Sequence, residues 1–241
     1  MSYLGFVKII CRGHLSKFNF PKVLEIGIDR GQTALPLIHN LACGFENFLY
    51  VGVDILVRGE VTEQLTQFEG ICIEGLDDLD NRDVILIQNN SLNFLRDNQD
   101  TQPKFDVVFL DGDHNYYTVT NELKLIQNII KPTSIIICDD FNGRWAENDM
   151  FYADKEEYKS VEIATPRRLS EKQGVRNAVI DFINTFQKSS NKERWVGFDL
   201  PSTDPIILYR GDVWKKLSTA SQPQWMFLRD RELTFERLED L

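Results

Sequence analysis

Short apolar runs rich in Val, Ile and Phe alternate with longer stretches of helical periodicity along this chain. "KVLEI" (22–26), "FLYVGVD" (48–54), "VILIQ" (84–88), "FDVVFLD" (105–111) and "SIIICD" (134–139) are each apolar on both faces, the pattern of strands buried on both sides of a sheet. Between the last two, Val119, Leu123, Ile126 and Ile130 recur at helical spacing, and "KP" at 131–132 stops the helix. Strands alternating with helices predict a parallel sheet joined by right-handed crossovers.

Residues 141–173 break the rhythm. They are polar with scattered aromatics (Trp145, Phe151, Tyr152, Tyr158), which suits a functional loop or lid, with disorder as the alternative. Helical periodicity returns in "GVRNAVIDFINTF". "RWVGFDL" and "PIILYR" then follow closely enough to pair antiparallel. The organisation read from this is one domain over residues 1–241. It comprises a core at 20–140, an inserted lid at 141–173, a last helix and two strands at 174–211, and an amphipathic tail at 212–241. The tail suits packing on the domain or on a second chain, which leaves a homo-oligomer open.

Composition narrows the class. With 241 residues, 42% hydrophobic and 27% charged, the chain can bury a large core without disulfides. A net charge of −10 opposes a phosphate backbone, so no nucleic-acid partner is expected. "TPRRLSEKQGVR" is the one basic stretch, and it reads as a solvated loop. The cysteines at 11, 43, 72 and 138 show no metal-ligand spacing, which fits a reducing compartment. Lys8 and Arg12 interrupt the N-terminal segment, which resembles neither a secretory leader nor a membrane span. A cytoplasmic protein without a membrane partner is the expectation.

"VLEIGIDRGQT" follows the first strand and opens a helix, where open α/β sheets bind cofactors. Gly27 and Gly31 let backbone approach a ligand, but the dinucleotide fingerprint is absent, because Asp29 stands at its second glycine. A carboxylate there repels a pyrophosphate, which disfavours a dehydrogenase. Glu25 adds a second negative charge at the same edge. Asp54 ends the next strand, 23 residues after Gly31, suitably placed for a ribose diol. Together these residues point to a nucleoside ligand whose other end is cationic.

On these residues the chain resembles the class I methyltransferases that use S-adenosylmethionine. Glu25, Gly27 and Gly31 match the E-x-G-x-x-x-G form of their glycine loop, and Thr33 falls within the same turn. Asp54 matches their ribose-binding acid. "NNSLNFL" is similar to their adenine-side segment, placing Asn90 and Ser91 beside the base, although Asn90 stands where an aspartate is usual. The resemblance covers roughly residues 20–211 and implies a Rossmann-like, doubly wound, seven-stranded α/β sheet. That sheet is mostly parallel, with an antiparallel last strand and helices on both faces.

Two of the apolar runs end in acids: Asp111 in "FLDGDH", and Asp139 with Asp140 in "ICDDF". Three carboxylates converging at adjacent strand ends would repel unless protonated or neutralised, and a hard divalent cation such as Mg²⁺ or Mn²⁺ accounts for them. Blander readings stand beside this one. Asp111 is also suited to bind a ligand amino group, "DDF" to cap the next segment, and Asp113 to a turn. The positions of Asp111, Asp139 and Asp140 are similar to the metal ligands of cation-dependent small-molecule O-methyltransferases of the catechol and macrolide-sugar types. That resemblance implies His114, three positions after Asp111, as the general base. His14 and His39 lack such neighbours.

The function expected is methyl transfer to a hydroxyl of a small molecule with divalent-cation assistance, residues 141–173 closing over the acceptor with Trp145 and Tyr152 as walls. The alternatives are a metal-independent small-molecule methyltransferase and a non-catalytic S-adenosylmethionine-binding module.

Overall fold

A computed structural model describes residues 13–67, 72–73, 82–100, 104–186, 194–199, 204–210 and 232–233. All seven apolar runs form strands: β1 (Lys22–Ile26), β2 (Phe48–Asp54), β4 (Arg82–Gln88), β5 (Phe105–Leu110), β6 (Ile130–Cys138), β7 (Trp195–Asp199) and β8 (Ile206–Arg210). Two-residue strands, β3 (Cys72–Ile73) and β9 (Glu232–Leu233), extend the two edges. The sheet runs β3-β4-β2-β1-β5-β6-β8-β7-β9. It is parallel from β3 through β6, and β8 lies antiparallel between β6 and β7. This is the Rossmann-like sheet implied by the sequence.

The strands read as continuous apolar runs because both faces are covered. Val23, Tyr50, Val107, Phe109, Ile135 and Ile137 pack on one side with helix α1 (Ala34–Gly44) and α2 (Gly59–Leu65). Leu24, Val51, Val108, Ile136 and Leu208 pack on the other with α3 (Ser91–Asp97), α4 (Tyr116–Ile126) and α5 (Gly174–Thr185). At about 25 cal/mol per Å² of apolar surface removed from water, this two-sided burial is the dominant stabilising contribution.

One expectation is corrected. Ile130 opens β6, opposite Phe105, and does not extend the helix. The chain leaves α4 through a turn in which Ile129 N–H donates to Ile126 O at 2.9 Å. Register then shifts between Phe105 and Val107. Ser134 bridges the irregularity: its Oγ accepts from Lys131 N–H (2.9 Å) and donates to Phe105 O (2.6 Å). Ile130 keeps the helical spacing only because it points into the same core as Ile126.

The strand order reverses between β1 and β5, and such switch points open a crevice at the carboxyl ends of the strands. The ladder continues one residue past each strand. Gly27 N–H donates to Val53 O (2.9 Å), Asn89 N–H to Asp54 O (2.9 Å), Asp111 N–H to Ile26 O (2.8 Å) and Asp139 N–H to Leu110 O (2.9 Å). Five loops therefore begin in one line along the same edge. Residues 212–231 and 234–241 of the tail, and the N-terminal segment to Arg12, lie outside the described residues. Among the described residues no helix is long and apolar enough to cross a membrane.

Candidate functional site

Gly27 leaves β1 at φ +90, and a Cβ there would sit 2.1 Å from the Asp111 carbonyl oxygen. The loop after β1 therefore lies directly against the loop after β5, an approach open to glycine alone. Gly31, at φ +76, makes the second turn, and Thr33 is buried just before α1. Asp29 between them holds φ +43, sterically costly for a side-chain-bearing residue.

Asp54 fastens this loop. Its Oδ2 accepts from Ile28 N–H (2.7 Å) and Asp29 N–H (2.9 Å), and its Oδ1 from Leu56 N–H (2.9 Å). An ionised carboxylate has about four acceptor positions, so these three leave room for one more donor. Glu25 lies beneath the loop, fully buried, with Oε2 accepting from Tyr50 Oη at 2.8 Å and no hydrogen-bond partner at Oε1. Burial pushes its carboxyl up to about 8, so it is largely protonated at neutral pH.

Gly27, Asp54, Asn90, Ser91 and Asp111 line one crevice, joined on its outer side by Tyr152, Tyr158 and Thr165 of the inserted segment. The Asn90 side chain is already engaged. Its Oδ1 caps α3 through Leu92 N–H (2.9 Å) and Asn93 N–H (3.3 Å), and its Nδ2 donates to Ile163 O and Thr165 Oγ1, both at 2.9 Å. Asp113, suited by its sequence to a turn, accepts the Tyr152 amide at 2.8 Å. Trp145 is not among the lining residues. Arg58 and Tyr158 hold the crevice edge together, and nothing local in the sequence signals either.

At the other end of the crevice, Asp111 and Asp139 are neighbouring carboxyls that act strongly on each other. Burial and the charge of Asp139 push Asp111 well above the usual carboxylate range, and burial raises Asp139 to about 6. Asp140, in the left-handed region at φ +56, lies close enough that its charge raises both members of that pair. It faces His114, whose Nδ1 lies 3.2 Å from its Oδ2. The other ring nitrogen, Nε2, is 3.9 Å from Asp111 Oδ1. Burial, with the Lys155 charge second, lowers the His114 pKa to about 4, leaving a neutral imidazole at pH 7.

Two of the three carboxylates suit the expected cation. Asp111 and Asp139 fit a hard dication, since two neighbouring acids repel once both ionise and a cation would offset that repulsion. Asp140 faces His114 instead, and among the described residues no three His, Cys, Asp or Glu side chains are grouped to hold an ion. The three carboxylates anticipated from the sequence thus lie close together, with His114 between Asp140 and Asp111.

Residues 24–141 match the family described as Methyltransferase domain. No curated protein matches the chain. Among solved structures it is similar to the SAH-bound methyltransferase PaMTH1 of Podospora anserina, at 17% identity and TM-score 0.50, covering 87% of this chain and 80% of that one. It is also similar to CalS11, a TDP-rhamnose 3'-O-methyltransferase of calicheamicin biosynthesis, at 13% identity and TM-score 0.50, covering 87% and 79%. A third is MycE of mycinamycin biosynthesis, in complex with Mg, SAH and mycinamycin VI, at 16% identity and TM-score 0.49; 90% of this chain aligns with half (50%) of that chain. Identities this low speak for the fold alone.

Proposed function

We propose that this chain, whose residues 24–141 match a methyltransferase domain, is a class I S-adenosylmethionine-dependent enzyme that methylates a hydroxyl of a small molecule with divalent-cation assistance. The observation that carries the reading is the His114 ring at the end of the donor crevice, with Nδ1 3.2 Å from Asp140 and Nε2 3.9 Å from Asp111. CalS11 acts on TDP-rhamnose, and a hydroxylated small molecule of that kind is the acceptor class proposed here.

In this mechanism the glycine loop and Asp54 hold the donor, with Asn90 and Ser91 at its base end. Asp111 and Asp139 would hold the cation, which when bound would acidify and orient a hydroxyl. His114 takes the hydroxyl proton on Nε2, Asp140 keeping the ring in place through Nδ1. The oxygen then attacks the sulfonium methyl in line, and the donor leaves as the neutral thioether. Much of the acceleration in such a reaction comes from holding two reactants at contact distance.

A metal-free version has its own support, because burial raises both Asp111 and Asp139, which favours a neutral carboxyl in the pair over two charges. One experiment separates the readings: methyl-tritiated S-adenosylmethionine is offered with a nucleotide-sugar and a catechol, in EDTA or in excess Mg²⁺ or Mn²⁺. Label in the acceptor that disappears in EDTA and returns with the cation supports the proposal. Transfer undiminished in EDTA favours the metal-free enzyme. Donor binding with no transfer favours a binding module.

A further inference from the structure

We infer that residues 152–165 form the outer wall of the donor pocket, not a lid over the acceptor, and that Arg58 is the positioning residue that fastens it. The inference rests on the donor-binding reading above. The inserted segment is tied to three separate loops along the crevice. At the first, Arg58 donates from Nε (3.1 Å) to Asp29 Oδ1, which its Nη2 also approaches to 3.0 Å. The same Nη2 donates to Tyr158 Oη at 3.0 Å, and Tyr158 Oη donates in turn to Asp29 Oδ1 at 3.3 Å. At the second, Asn90 donates to Ile163 O and Thr165 Oγ1. At the third, Asp113 accepts the Tyr152 amide.

From residue 152 to 165 these ties carry the segment from the loop after β5, past the loop after β1, to the loop after β4. They set Tyr152 and Tyr158, ring centroids 4.9 Å apart, against the crevice. Tyr152 lines the same crevice as Asp29, Asp54 and Asp111. Tyr158 is buried at 3% exposure although it lies in an irregular, polar stretch, and Arg58 also faces Glu157 at 3.7 Å. Asp29 is therefore doubly used. It occupies a strained turn of the glycine loop, and its carboxylate anchors the wall through a charge-assisted bond.

A wall fastened in this way slows the donor's exit. In Arg58→Ala the affinity for S-adenosylmethionine and for S-adenosylhomocysteine, measured by calorimetry, falls about tenfold, the scale of one charged hydrogen bond. Stopped-flow fluorescence assigns the loss to faster dissociation. Arg58→Lys, which keeps the charge and one contact, recovers part of it. Tyr158→Phe keeps the ring and removes the shared hydroxyl, so it loosens the donor comparably, and the double variant Arg58→Ala/Tyr158→Phe is no worse than either alone. Variants that bind both ligands as the unaltered protein does, or losses that simply add, overturn the inference. If the unaltered protein itself binds neither ligand, the donor-binding reading fails first.

Discussion

The Nδ1 atom of His114 lies 3.2 Å from Oδ2 of Asp140, so the acid next to Asp139 serves the histidine. Two loops separated in sequence by the whole of α4 and β6 are joined at that point, where proton transfer is proposed. His114→Gln is expected to lower turnover by about 10²–10⁴-fold, the range for a general base, with donor affinity unchanged. Asp140→Asn keeps a polar contact and should cost only about tenfold. Steady-state rates with calorimetric donor binding check both, and a His114→Gln variant with full turnover removes the base role.

Asp139→Asn separates the cation from the donor. Transfer in Mg²⁺ is expected to fall about 100-fold, while S-adenosylmethionine affinity stays within about threefold. Undiminished, EDTA-resistant transfer by this variant would leave the Asp111–Asp139 pair without a metal role.

Gly27→Ala tests the contact between the loops after β1 and β5. A Cβ there meets the Asp111 carbonyl at 2.1 Å, at a φ of +90. Strain and overlap together are expected to cost about 3 kcal/mol in urea unfolding. Donor binding should be lost with them, since the turn opens only by moving away from β5.

Glu122 on α4, beside Ser91 but outside the crevice lining, gives a pH test. It is buried at 1% exposure, and burial raises its carboxyl from 4.5 to about 8. Between those values the unfolded chain has released this proton and the folded chain still holds it. Stability from this group is therefore greatest in acid and declines as pH rises through the window. One proton corresponds to about 1.4 kcal/mol per pH unit. Glu122→Gln, which does not titrate, should gain about 3 kcal/mol on the unaltered protein between pH 5 and 7.5 in parallel urea melts. A constant difference between the two would show that the side chain is ionised in the fold.

The sheet is legible in the sequence because most strand positions are buried on both faces, so the apolar runs are broken only by single buried acids such as Glu25 and Asp106. Asp111 and Asp139 are legible because each comes directly after such a run. Ile130 misleads because a helix and a strand feeding one core keep the same apolar spacing across the turn between them. Asn90 suits the donor by its position, but asparagine before a helix is also a cap, and its side chain caps α3 and holds Ile163 and Thr165. Arg58 and Tyr158 are illegible in principle. They stand 100 residues apart, and neither belongs to a periodic pattern.

The antiparallel insertion of β8 bears on how the protein emerges from the ribosome. Until residues 195–210 have been synthesised, β6 is an open margin of unpaired amides and carbonyls carrying Ile135, Ile136 and Ile137. A nascent chain halted before that hairpin would present a sticky border to its neighbours. Truncation upstream of residue 195 should accordingly yield aggregates, even though every residue proposed here to touch the donor would already be present.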